Sequence, residues 1–213
     1  MNDKEICKRL SQNDDEYIFL SGVCDKMDAC LNKNIITSTK FLDAHKLALT
    51  KQLLVNIPCN HVFDGGATAA ERVVCVFMPD YPASHDLFRF IRAEKSRQDT
   101  LTHRDYLGSL IGLGINREYV GDIYVHEGGA DIVVLSEIAN FLMLEYKKAG
   151  RKQLSLSCIS GDEVITGAGD FTMMNITVPS MRLDAVAGAV FKLPRSDSME
   201  LIKKGRIMLN STE

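Results

Sequence analysis

An α+β fold is predicted, in three units: a mainly helical α/β unit over residues 1–85, a βαββαβ unit over 86–160, and a partial unit of two helices and a strand over 178–213. Three observations predict it. Residues 101–125, LTHRDYLGSLIGLGINREYVGDIYV, read as a capped helix, a glycine stop and a strand. Alternating and β-branched runs follow in register with helical patterns up to Cys158. Proline at 79 and 82 and a glycine-rich loop within 160–178 mark the boundaries.

In the first unit, Asp14 or Asp15 starts a helix carrying Tyr17, Ile18 and Val23. Asp43 starts a second, with Leu47, Leu49, Leu53 and Leu54 as its apolar positions. His61 to Ala67, with Asp64-Gly65-Gly66, reads as a loop, and His61, Asp64 and Asp43 form no catalytic cluster. Arg72 to Met78 is an apolar, β-branched run that predicts a buried strand.

The middle unit starts with a strand over Leu87–Arg92. In the helix that follows, Thr102 is the N-cap and Asp105 its capping-box partner, with Leu101 and Tyr106 as a hydrophobic staple. Gly108 and Gly112 leave a smooth face for close packing, and Gly114 ends the helix in a left-handed cap. Gly121 to Val125 and Ala130 to Leu135 form a hairpin. Ser136 caps a second helix, stopped by Gly150, and Leu154, Leu156 and Cys158 alternate in a last strand with Cys158 in the core. The order βαββαβ is the ferredoxin-like arrangement shared by RNA-recognition motifs. Those motifs stack bases on sheet aromatics, whereas the third strand here has none and Phe88 and Phe90 are expected in the core. His103 and Arg104 lie in the first turn of a helix, where cations oppose the dipole at a cost of up to ~1 kcal/mol. They form a candidate second contact for an anion or RNA, if they are not paired with an acid of the fold.

Composition narrows the function classes. Hydrophobic residues make up 46% of the 213, enough for packed cores. The chain has no long apolar run and its N-terminus is charged, so a cytoplasmic protein without membrane contact is expected. Six cysteines include no C-x-x-C pair and no histidine at zinc-ligand spacing, so neither a metal nor another cofactor is expected. Net charge is −3, which excludes a generally basic DNA-coating protein, but residues 180–210 carry six Lys and Arg against three acids. Arg182, Lys192, Arg195, Lys203, Lys204 and Arg206 suggest an anionic partner for that end.

Within that end, RLDAVAGAVFKL predicts a helix with Leu183, Val186, Ala187 and Val190 inward. Pro194 breaks it, Ser196 caps a second helix ended by Gly205, and Arg206 to Asn210 begins a strand. RLDAV, Arg195-Ser196 and LIKKGRIMLN resemble the start of an S4 domain, a small module that docks on folded RNA. FLDAHKLAL, GGA…AERVVCVFMPDY, the 101–125 stretch and VPSMRLDAVAGAVF together resemble the YlmH family of bacterial S4 proteins, from about Phe41 onward. The resemblance implies binding to the large ribosomal subunit carrying peptidyl-tRNA, in rescue of stalled translation, with a division-linked role left open. It places RNA contacts at Arg182 and Arg195 with Ser196, and at Lys203, Lys204 and Arg206 as a basic run. The S4 unit is expected to be partial, because the usual later strands are not in the sequence.

Two rival classes stand beside this reading. S4-bearing pseudouridine synthases carry an Arg-Leu-Asp run around a catalytic Asp, but here Asp184 leads into a helix and reads as structural, at the helix N-terminus. A division-linked interaction protein would dock through the Gly108–Gly112 face.

Overall fold

The computed structural model describes residues 3–57, 59–68, 70–81, 84–166, 174–204 and 206–207. Pro82 and Gly205, and parts of the expected 160–178 loop and final strand, lie outside them. Two compact units divide the chain, Met1–Gly167 and Ala168–Glu213.

The first unit starts with helices α1 (Asp3–Leu10) and α2 (Asp14–Lys33), then strand β1 (Thr37–Ser38), α3 (Ala44–Asn56), β2 (His61–Asp64) and β3 (Val74–Phe77). Asn13 caps α2, accepting from the Glu16 N–H, and Asp43 caps α3, accepting from the Lys46 N–H. The sheet order is β1-β3-β2, all antiparallel. His61 to Asp64, expected as a loop, is therefore a strand. His61 and Phe63 alternate with Val62, but the pairing partner lies ten or more residues away and no local turn signal reveals it.

The central strand β3 is buried on both faces. Cys75 and Phe77 pack with the three helices, around Leu20, Leu49 and Leu53. Val74 and Val76 point the other way, into a cluster with Phe41, Phe88, Val133 and Leu135.

The second sheet of this unit consists of β4 (Phe88–Glu94), β5 (Val120–His126), β6 (Gly129–Leu135) and β9 (Ser155–Ile159), in order β5-β6-β4-β9. Between them run α4 (His103–Gly112), α5 (Ser136–Glu145) and a small hairpin of β7 (Lys148–Ala149) and β8 (Lys152–Gln153). Numbered within this sheet, the order is 2-3-1-4 and every neighbouring pair is antiparallel, which is the ferredoxin-like topology. The Thr102 N–H and hydroxyl both donate to the Asp105 carboxylate, at 2.8 and 2.7 Å, so the capping box forms. Gly114 takes φ +83°, as its place after α4 requires.

One face of this sheet carries Ile91, Ala93, Ile132 and Val134 against Tyr106, Leu110, Ala139 and Leu142 of the two helices. Phe88, Val133 and Leu135 are on the other face. The core expected for Phe88 is thus a different one: it lies between the two sheets, with Phe41 5.7 Å away centroid to centroid. The result is four layers, helix, sheet, sheet, helix. Residues 1–85 and 86–160 carry separate sheets, but the interior between those sheets joins them in one compact unit.

The rest of that face is covered by the chain after β9. Arg92 Nε and Nη2 each lie 2.8 Å from an oxygen of the fully buried Asp131, and Arg92 also donates to the Glu163 carbonyl. The Ile165 N–H donates to Asp131 Oδ2 at 2.8 Å. Phe90 is half-buried beneath Gly161.

Two further expectations are corrected. Helix α5 ends at Glu145, and Gly150, at φ +58°, turns the β7–β8 hairpin instead. Cys158 is exposed, because β9 is an edge strand with a partner on one side only. Gly108 and Gly112 have open space where a β-carbon would point, so among the described residues their face is uncovered.

Candidate nucleic-acid interface

The second unit is built on α6 (Leu183–Phe191) and α7 (Arg195–Lys203). Lys192, at φ +53°, ends α6, and Leu193-Pro194 turns the chain into α7. Pro194, not Ser196, occupies the cap of α7. Ser196 is its second residue and its hydroxyl donates to the Asp197 carboxylate. The helices cross where Gly188 meets Ser198, which is fully buried and donates to the Pro194 carbonyl. Ala187 is buried as expected, but Val190 is exposed, since only two helices are described and neither covers it. Arg206 and Ile207 lie in a bend, and the rest of the expected strand falls outside the described residues.

This turn brings Arg182 and Arg195 together on one carboxylate. Arg182 Nε lies 3.0 Å from Asp184 Oδ1 and Arg195 Nε 2.8 Å from Asp184 Oδ2. Asp184 is 5% exposed, whereas both arginine side chains are 63% exposed. Each guanidinium therefore spends its inner edge on the acid and keeps donors facing solvent. Hydrogen bonds from Arg182 first and Arg195 second outweigh burial and hold Asp184 down to about 2. Asp184 binds the two arginines rather than only marking a helix N-terminus.

The sign of that shift makes a prediction. A carboxyl depressed in the folded state contributes stability above its unfolded pKa, near 4, and loses it as pH falls through about 2. The two-helix unit should thus show constant helicity by circular dichroism from pH 8 to 5 and begin to lose it only below about pH 4. Asp184→Asn should remove that acid-side change.

Around the triad lies a cleft of about 340 Å³, lined by Arg182, Leu183, Asp184, Met199, Ile202 and Lys203. Lys203 is on its rim with no ion pair among the described residues. Lys204 is paired with Glu200 one turn earlier, and Arg206 is exposed. His103 and Arg104 belong to the other compact unit, exposed in the first turn of α4. Arg104 makes no ion pair among the described residues, though its charge helps to keep Asp105 below the usual carboxylate range, after the hydrogen bonds from Thr102.

Sequence reasoning missed two features. Asp184 as the shared anchor was missed because Arg195 reaches it only after α7 folds back. The β7–β8 hairpin, with Lys148, Arg151 and Lys152, falls where the sequence reads as a helix end, its Gly150 stop and the lead into the last strand. Its Gly150 N–H donates to Ser109 Oγ at 2.7 Å, which docks the hairpin on α4. The lysine and arginine run was the available signal.

Among the described residues no group of His, Cys, Asp or Glu could hold a metal ion, and no helix is long and apolar enough to cross a membrane.

Comparison with known proteins adds independent findings. The family described as a putative RNA-binding domain in YlmH matches residues 88–163, the four-stranded ferredoxin-like part. The ribosome-associated protein quality control protein P2 of Bacillus subtilis (strain 168) is 28% identical over 176 residues, covering 81% of this chain and 68% of the relative. The structure of cell division protein ylmH from Streptococcus pneumoniae matches with a TM-score of 0.59 at 24% identity, over 73% of this chain and 98% of that one. That likeness is one of fold.

Proposed function

The chain belongs to the YlmH family, and from that premise we propose that it is a non-catalytic RNA-binding factor of the ribosome. It associates with the large subunit carrying peptidyl-tRNA, in rescue of stalled translation. The observation that carries this reading is the Asp184 triad. One buried carboxylate holds two guanidinium groups at a set spacing on a rigid helix pair, with their outer donors free. Planar forks of this kind suit phosphate oxygens, and a folded RNA presents phosphates at fixed separations. The named relative in B. subtilis and the matched RNA-binding family point the same way.

The geometry argues against the RNA-modifying alternative. Asp184 is 5% exposed and engaged by two arginines at the start of a helix, which supports a structural role for that acid.

The test is co-sedimentation of the full chain with purified large subunits, with and without tRNA. Charge-assisted hydrogen bonds contribute about 1.5–3 kcal/mol each. Arg182→Ala with Arg195→Ala should therefore weaken association by at least ~100-fold. Binding of the unmodified chain should also fall steeply with salt. Association that survives the double substitution unchanged would remove the site from this reading.

A further inference from the structure

We propose that one end of the ferredoxin-like part is a second RNA-backbone site, in which Arg97, Arg104, Lys148 and Arg151 receive phosphates of a folded RNA. The inference rests on the reading that the partner is RNA, and it says where this part makes contact.

Topology gathers these residues. The chain leaves β4 at Glu94, and residues 95–102 lead into α4. The hairpin at residues 148–153 leads directly into β9, whose Ser155 pairs with Glu94. Both segments therefore lie at the same end of the sheet. Side chains hold them there: Lys152 Nζ is 2.6 Å from Asp99 Oδ1, the Gly150 N–H donates to Ser109 Oγ, and a β-carbon added at Gly150 would lie 3.8 Å from Asp105 Oδ1. A cleft of about 290 Å³ runs between α4 and the hairpin, with Ser109 and Gly112 on one wall and Lys147, Lys148 and the acid Glu145 on the other.

The charge of these segments is unlike that of the rest of the chain. Residues 95–105 and 146–153 hold seven Lys and Arg and two Asp, whereas the remainder holds eighteen Lys and Arg against twenty-six acids. Both aspartates are already engaged, Asp99 by Lys152 and Asp105 by the helix cap. Arg97, Arg104, Lys148 and Arg151 are exposed and have no ion pair among the described residues. Glu94 and Glu145 adjoin these segments in sequence and make no ion pair among the described residues. Seven cations collected in an acidic protein repel one another, and a polyanion relieves that repulsion while releasing its counterions.

The usual alternative surface is closed. RNA-recognition motifs bind RNA on the open sheet face. Here Phe88 and Val133 of that face are buried against Phe41, Val74 and Val76, and the Arg92–Asp131 pair ties residues 163–165 over the rest. An RNA meeting this part must use another face, and this end carries the matching charge.

The experiment measures binding of the full chain to an unmodified tRNA transcript across a salt series, for the unmodified chain, Lys148→Glu/Arg151→Glu and Arg182→Ala/Arg195→Ala. The hairpin variant should bind at least ~10-fold more weakly at moderate salt, and its slope of log affinity against log salt should fall by about 1.5, as two lost phosphate contacts require. Its thermal midpoint should match that of the unmodified chain, since the altered side chains are exposed. On the unmodified chain, RNA should protect Lys147 and Lys148 from acetylation while leaving Lys51 reactive. An unchanged slope and no protection, with the Arg182/Arg195 variant still impaired, would overturn the second site and leave the RNA reading standing. No RNA binding by the unmodified chain would overturn both.

Discussion

Asp131→Ala is expected to lower the stability of Met1–Gly167 by about 3 kcal/mol, read as a lower denaturant midpoint at unchanged slope. Asp131 has no solvent exposure and accepts from Arg92 through both oxygens and from the Ile165 N–H. Removing it leaves a guanidinium with 21% exposure and a backbone donor without their acceptor. Arg92 retains some solvent, which is why the low end of the range for breaking buried pairs applies. Adding Arg92→Leu to Asp131→Ala should recover part of the loss, because it removes the stranded charge. A loss below 1 kcal/mol would mean that the segment after β9 is not held by this pair. The pH dependence has a defined sign. Burial opposes ionisation of Asp131, but hydrogen bonds from Arg92 and Ile165 outweigh it and keep the carboxyl below its ordinary value. Its contribution is therefore present above about pH 4 and is lost as pH falls through the lower folded value. The alanine variant should lack that part of the acid sensitivity.

Gly129→Ala is the second large effect, a destabilisation of about 3 kcal/mol or more. Gly129 begins β6 opposite Glu94. A β-carbon there would stand 2.1 Å from the Ala93 carbonyl oxygen and 2.9 Å from the Glu94 α-carbon. Those atoms are backbone, so no side-chain rotation can relieve the clash, and β4 and β6, the two inner strands, must part at the Glu94 end of their ladder. The neighbouring Gly128→Ala is the control. Its β-carbon would meet only the His126 ring at 3.5 Å, an ordinary contact, and stability should change by less than ~0.5 kcal/mol. Equal effects at the two positions would show that the close approach of β4 is not the cause.

The basic surfaces were partly legible in the sequence. Arg182 and Arg195 stand out as cations at the starts of two apolar-patterned helices. Their meeting on Asp184 does not, because it depends on how α6 and α7 cross at Gly188 and Ser198. His103 and Arg104 were visible as cations at a helix N-terminus. The hairpin that extends their surface straddles Gly150, which reads as a helix stop and hides the pairing across it.

What the sequence determined by itself is what closes over a few residues. The α4 capping box at Thr102 and Asp105, the Asp43 cap of α3, the left-handed Gly114 and the βαββαβ order all rest on local hydrogen bonds and periodicity. Partners distant in the chain decided the remainder. Strand β2 exists because β3 offers it an edge, Cys158 is exposed because β9 has only one neighbour, and Phe88 faces a second sheet rather than its own helices. Alternation along a strand separates two faces, but which element covers each face depends on packing between residues distant in the chain, such as Phe41 and Phe88. Only the tertiary structure shows that both sheets spend their second faces on each other.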